Sequence, residues 1–268
     1  MEFGLKYVLD DIYHRFNRRR YVDPDPLQFL YAYENTGDRE IAGMIAASLA
    51  YGRVVQINKS VSWVLSRMGP SPREFLLKSD MKNLLSTFTG FVHRFAKTEH
   101  LAGLLSGLRQ IVFSHGSMNN CFLSHYDPND ETVFNALNQM AKELLAGACK
   151  NPVHLVPLPE RGSAGKRLHL FLRWMVRQDA VDPGGWVGVS PSKLIVPLDV
   201  HMHAVCRKMG FTYSKCANLK TALDITACFK QVSPDDPIKY DFSLTRLGIR
   251  KDIEIKEMLM SKIINRLT

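Results

Sequence analysis

Apolar residues recur along this chain with the three-to-four-residue spacing of helices, not the alternation of strands. In "LKYVLDDIYHRF", Leu5, Val8, Leu9, Ile12 and Phe16 share one face. "RRRYVDPDP" then breaks the pattern with two prolines. A helix is expected over "REIAGMIAASLA", capped by Asp38, with Gly52 as an interruption. "VVQINKSVSWVLSRMG" carries the next one to Gly69 and Pro70. "TEHLAGLLSGLRQIVFSHG" predicts a helix capped by Thr98 and stopped by Gly116, with apolar positions 101, 104, 105, 108, 111 and 112. "DPNDETVFNALNQMAKELLAGA" reads as another amphipathic helix. Between the irregular stretches "CKNPVHLVPLPERGSAG" and "QDAVDPGGWVGVSPS", the apolar "KRLHLFLRWMVR" predicts a buried helix. "DVHMHAVCRKMG" predicts a short helix ended by Gly210, and two more are expected near 217–230 and 251–266. With no convincing strand, the expected fold class is all-α.

Composition narrows the partners. The chain has 268 residues and a formal charge of +9, which suits a polyanionic partner or simply a basic surface. "RRR" at 18–20 is a solvated face or a phosphate contact. No apolar run reaches membrane-spanning length, and "MEFGLKYVLDDIYHRF" lacks the apolar core of a leader peptide. Cysteines at 121, 149, 206, 216 and 228 show no CxxC spacing, so free thiols are expected, with neither a disulfide framework nor a tetrahedral zinc site.

Two stretches carry candidate chemistry. In "PERGSAGKRLHLFLRW" a Gly–Lys pair, Gly165 and Lys166, opens a helix. A nucleotide-binding phosphate loop is excluded: Glu160 stands where the earlier glycine belongs, and Arg167 follows the lysine in place of Ser or Thr. A glycine turn at a helix start can instead present backbone N–H groups to a DNA phosphate. Lys166 itself, at the edge of an apolar helix, is an amine nucleophile or an ordinary exposed lysine. In "VPLDVHMHAVCRKMG", Asp199 is positioned as a helix N-cap. A carboxylate so held stays ionised and can stabilise a developing cation. His201 and His203 invite a metal reading, but residues two apart point in nearly opposite directions on a helix.

Together these stretches resemble the helix-hairpin-helix DNA glycosylase superfamily. "LPERGSAGK" (158–166) parallels its hairpin and lysine, with Ala164 at the second glycine position and Gly165 one later. "PLDVHMHAVCRKMG" (197–210) parallels its aspartate segment, including His201, Arg207 and Gly210. "DREIAGMIAASLAYGRVVQINKSVSWVL" resembles the helix pair that opens the family's helical barrel. The spacing of 33 residues from Lys166 to Asp199 is similar to the archaeal 8-oxoguanine branch.

The resemblance implies two helical lobes with a cleft between them: 22–165 as a barrel lobe, and 1–21 plus 166–268 as a discontinuous second lobe. It implies a bacterial, cytoplasmic, nucleoid-associated monomer that needs no metal or organic cofactor. The partner is double-stranded DNA containing a damaged base, and no membrane is involved. Lys166 would form a Schiff base with the deoxyribose and Asp199 would assist. Gly162, Ser163, Ala164, Gly165, Arg167, Arg207, Arg53 and Gln56 would contact DNA. Tyr51, Phe171, Trp174, Trp186 and His201 would line the base pocket, although Phe171 and Trp174 also fit a core face. The alternatives are a monofunctional glycosylase, a non-catalytic DNA-binding protein, and a metal hydrolase built on "DVHMH".

Overall fold

Residues 2–148 and 154–249, those described by the computed structural model, fold into α-helices with a single two-stranded sheet. The chain is thus all-α in class. In order come α1 (Glu2–Phe16), α2 (Thr36–Ser48), α3 (Val54–Met68), α4 (Pro72–Lys78) and α5 (Met81–Thr87). A hairpin of β1 (Val92–His93) and β2 (Ala96–Lys97) follows. Then come α6 (Thr98–His115), α7 (Met118–Leu123), α8 (Phe134–Ala146), α9 (Lys166–Val176), α10 (Val200–Lys208), α11 (Leu219–Val232) and α12 (Asp241–Ile249). No helix among the described residues is long and apolar enough to cross a membrane.

α6 is the central post. Its Leu101, Leu104, Leu105 and Leu108 are fully buried, and α4, α5, α7 and α8 pack around it. α8 approaches so closely that a Cβ on Gly107 would sit 2.1 Å from the Leu144 carbonyl oxygen. α2 packs on α9, and α12 packs on α1 and α10. Asp10 of α1 locks this end: it accepts from Lys239 Nζ and Tyr240 Oη, each at 2.9 Å. Buried Glu40 of α2 accepts from the Met118 amide at 2.8 Å and Trp186 Nε1 at 3.0 Å, joining three distant segments.

Several local expectations are corrected. The cap of α2 is Asn35, not Asp38, whose carboxylate instead takes the Ser71 hydroxyl and the Arg73 amide. Lys97 occupies the cap position of α6, and Thr98 donates to the Phe88 carbonyl at 2.9 Å. α8 starts only at Phe134, because Asp127 turns the preceding backbone by accepting from the Asn129 amide. The β1–β2 hairpin and α12 were not anticipated, while the helix expected near 251–266 lies outside the described residues.

Candidate active site

The turn before α9 is a rigid device. A short 3-10 turn, Pro159–Arg161, leads to Gly162 at φ 79° and then to Gly165, the N-cap of α9, at φ 57°. Both angles lie in the left-handed region that glycine adopts without steric cost. The turn is held from two sides. Asn138 of α8 donates to Glu160 at 2.9 Å, and Lys142 pairs with the same carboxylate at 2.7 Å. On the other side Ser163 bridges to Asn218, and the Leu219 amide donates to the Gly162 carbonyl at 3.1 Å. Gly162 and Ser163 are exposed at the tip; Ala164 and Gly165 are buried behind it.

This turn aims Lys166 at Asp199. Lys166 Nζ lies 3.1 Å from Asp199 Oδ2, with side chains 35% and 16% exposed. Asp199 divides its work between its oxygens. Oδ1 caps α10, accepting from the His201 and Met202 amides at 2.9 Å each, which leaves Oδ2 for the lysine. Burial pushes the Asp199 carboxyl up. The Lys166 ammonium and the α10 amides outweigh burial and hold it below the usual carboxylate range.

The pair borders a cleft of about 750 Å³. That is a volume typical of small-molecule sites. Tyr51, Gly52 and Val54 form one wall, Leu170, Arg173 and Trp174 the floor, and Leu198–His201 the opposite wall. Asp25, Asp241 and Arg246 close the far end. The floor and far end are charged. Arg173 pairs with Asp182 at 3.1 Å and with Asp241, and Arg246 pairs with Asp25 at 2.6 Å. Burial opposes the charge on Arg173, but Asp182 and Asp241 outweigh it and raise its pKa, so the guanidinium stays charged. Arg173 Nη2, Asp241 Oδ1, Arg246 Nε and Trp174 Nε1 are buried and have no hydrogen-bond partner among the described residues. Unpaired buried donors and acceptors cost free energy, and these four belong to residues that line the cleft.

The other expected positions divide. Tyr51, Trp174 and His201 line the cleft. Phe171 and Trp186 do not: they meet edge to face at 5.2 Å inside the core, and Trp186 spends its N–H on Glu40. Arg167 is turned inward, donating to the carbonyls of Ser48 at 2.8 Å and His154 at 2.6 Å. Its guanidinium therefore braces the end of α2 and does not project toward a phosphate. Arg53, Gln56 and Arg207 are exposed. The "DVHMH" histidines diverge, with His201 in the cleft and His203 Nε2 at 3.0 Å from the Ser214 carbonyl, so they do not form a metal pair.

Residue reasoning missed Arg173, Asp241, Asp25 and Arg246. A charged residue at a core position of an apolar helix was the available sign for Arg173; the others reach the cleft through distant contacts. It also missed the hairpin beside the cleft mouth. Tyr51 donates to the His93 carbonyl at 3.0 Å, and a Cβ on Gly52 would meet Arg94 Cδ at 2.9 Å. Arg94 holds a positive φ of 54° at the tip, and Phe95 is 73% exposed there.

The family described as "Protein of unknown function (DUF2400)" matches residues 25–250. No curated protein and no solved structure matches the chain.

Proposed function

The chain belongs to the DUF2400 family, whose description assigns no activity, and we propose that it is a DNA base-excision glycosylase with AP lyase activity. Its substrate is an oxidised purine such as 8-oxoguanine in double-stranded DNA. The observation that carries this reading is the 3.1 Å approach of Lys166 Nζ to Asp199 Oδ2 at the edge of a cleft large enough for a nucleoside. The packing of α1 against α11 and α12 supports a two-lobed helix-hairpin-helix architecture in which residues 1–21 join the C-terminal lobe. On this reading the protein works as a monomer in the bacterial cytoplasm, on nucleoid DNA.

A base inside a duplex is out of reach, so the nucleotide is extruded into the cleft at a cost of a few kcal/mol. Phe95, exposed on its braced hairpin, is placed to fill the gap left behind. The polar side chains of Arg173, Asp241 and Trp174 line the cleft that receives the extruded base. Lys166, once deprotonated, attacks C1′ of the deoxyribose. The glycosidic bond breaks, and its electron pair departs with the base, which takes up a proton. Loss of the amine proton and ring opening give the Schiff base. Removal of a C2′ proton then expels the 3′ phosphate and cuts the strand. Asp199 supplies negative charge beside the developing cation and is the nearest acceptor for the lysine proton.

The ion pair favours one competing reading. In that reading a monofunctional enzyme keeps Lys166 paired with Asp199, which orients a water. Both readings require base release. Purified protein incubated with duplexes carrying 8-oxoguanine opposite each base is expected to liberate free base and, for the lyase, a nicked strand. Release of no base from any lesion duplex would overturn both.

A further inference from the structure

We propose that His115, Cys121 and Glu143 form a zinc-class metal site that pins α6, α7 and α8 together, with His125 orienting the carboxylate. This inference is independent of the reading of the cleft, which none of these four residues lines.

The three residues come from three mutually packed helices: the last residue of α6, the middle of α7 and the third turn of α8. Their ligand atoms all lie within 4.8 Å of one another. His115 Nε2 is 2.8 Å from Glu143 Oε2, and the buried Cys121 Sγ is 3.6 Å from the same oxygen. Zinc bonds of about 2.0–2.3 Å in tetrahedral array put ligand atoms roughly 3.3–3.8 Å apart. The observed separations, 2.8 Å, 3.6 Å and none above 4.8 Å, bracket that range, so side-chain adjustments of about 1 Å would close the site. His125 Nε2 sits 2.5 Å from the other carboxylate oxygen, Oε1. That is the arrangement by which an outer group fixes a ligating carboxylate.

The donor set selects the metal. A thiolate, an imidazole and a carboxylate suit borderline-soft zinc, whereas magnesium and calcium take oxygen shells. The His115 and Glu143 side chains are 23% and 36% exposed, which gives the ion an entry path and leaves the fourth position to water. On loading, the Cys121 thiol releases its proton to solvent, and the neutral imidazole donates its lone pair.

The test uses the full reduced chain, stripped of metal and titrated with cobalt(II). One equivalent is expected to produce the visible bands of tetrahedral cobalt and a near-ultraviolet thiolate-to-cobalt charge-transfer band, both erased by zinc. Cys121→Ser should lose the charge-transfer band. His125→Gln should keep it with affinity about tenfold weaker. Zinc should raise the melting temperature of the wild type by about 5 °C and leave Cys121→Ser unchanged. If Cys121→Ser does not fold, His115→Gln takes its place as the variant that loses the cobalt bands. Absence of the bands from the wild type, or their survival in Cys121→Ser through another thiol, would overturn the proposal.

Discussion

Asp199 performs two tasks with two oxygens, and a single substitution separates them. Asparagine caps helices about as well as aspartate, so Asp199→Asn keeps the α10 amides satisfied while removing the charge next to Lys166. The expected result is a loss of base-release rate on the order of 10²–10³-fold. Unfolding free energy should change by less than about 1 kcal/mol, since the lysine partner is partly solvated. Steady kinetics and urea denaturation of the same variant check both halves. A collapse of stability alone would mean that the carboxylate is merely structural. Lys166 and Asp199 were legible in the sequence because their local setting is a turn and a cap, written in neighbouring residues. The partners of Arg173 were not: Asp241 lies 68 positions away, and only the folded chain brings its carboxylate to the cleft floor.

At the scale of elements, two positions are tightly determined. Gly107→Ala would drive a methyl group into the backbone of α8, where no side chain can yield. We expect destabilisation of about 3 kcal/mol or more, seen as a lowered urea midpoint, because overpacking a rigid helix contact forces the backbone apart. His169 in α9 is fully enclosed, and neither ring nitrogen has a partner among the described residues. Burial pushes its pKa down to about 4. The folded protein therefore holds the ring neutral while the unfolded chain can protonate it. The resulting cost is absent above the ordinary histidine value of about 6.5 and grows as pH falls toward 4, at about 1.4 kcal/mol per pH unit. His169→Leu is expected to be more stable than wild type by a margin that widens from pH 7 to pH 5. Denaturation midpoints at the two pH values test this; a constant margin would contradict it. Long helices were readable from their periodicity, and Gly116 marks the end of α6 with φ 79°. Caps shifted by one to three positions, since several Asp, Asn and Thr residues compete locally for one vacancy. The two-residue strands of the hairpin are too short to alternate.

For the molecule as a whole, the proposed function and the +9 charge together predict a salt-dependent affinity for duplex DNA. The exposed Arg53 and Arg207 are the expected phosphate contacts, whereas Arg167 is committed to backbone carbonyls. Arg53→Gln and Arg207→Gln should each flatten the log–log salt dependence of duplex binding by about one unit, measured by anisotropy. Unchanged slopes would place the DNA elsewhere. The central claim is that Lys166 is a nucleophile. Borohydride reduction during reaction with a duplex containing 8-oxoguanine opposite cytosine tests it most directly. The account predicts a covalent protein–DNA adduct with wild type and none with Lys166→Gln. An adduct of equal yield with Lys166→Gln, or base release by wild type without any adduct, would contradict it.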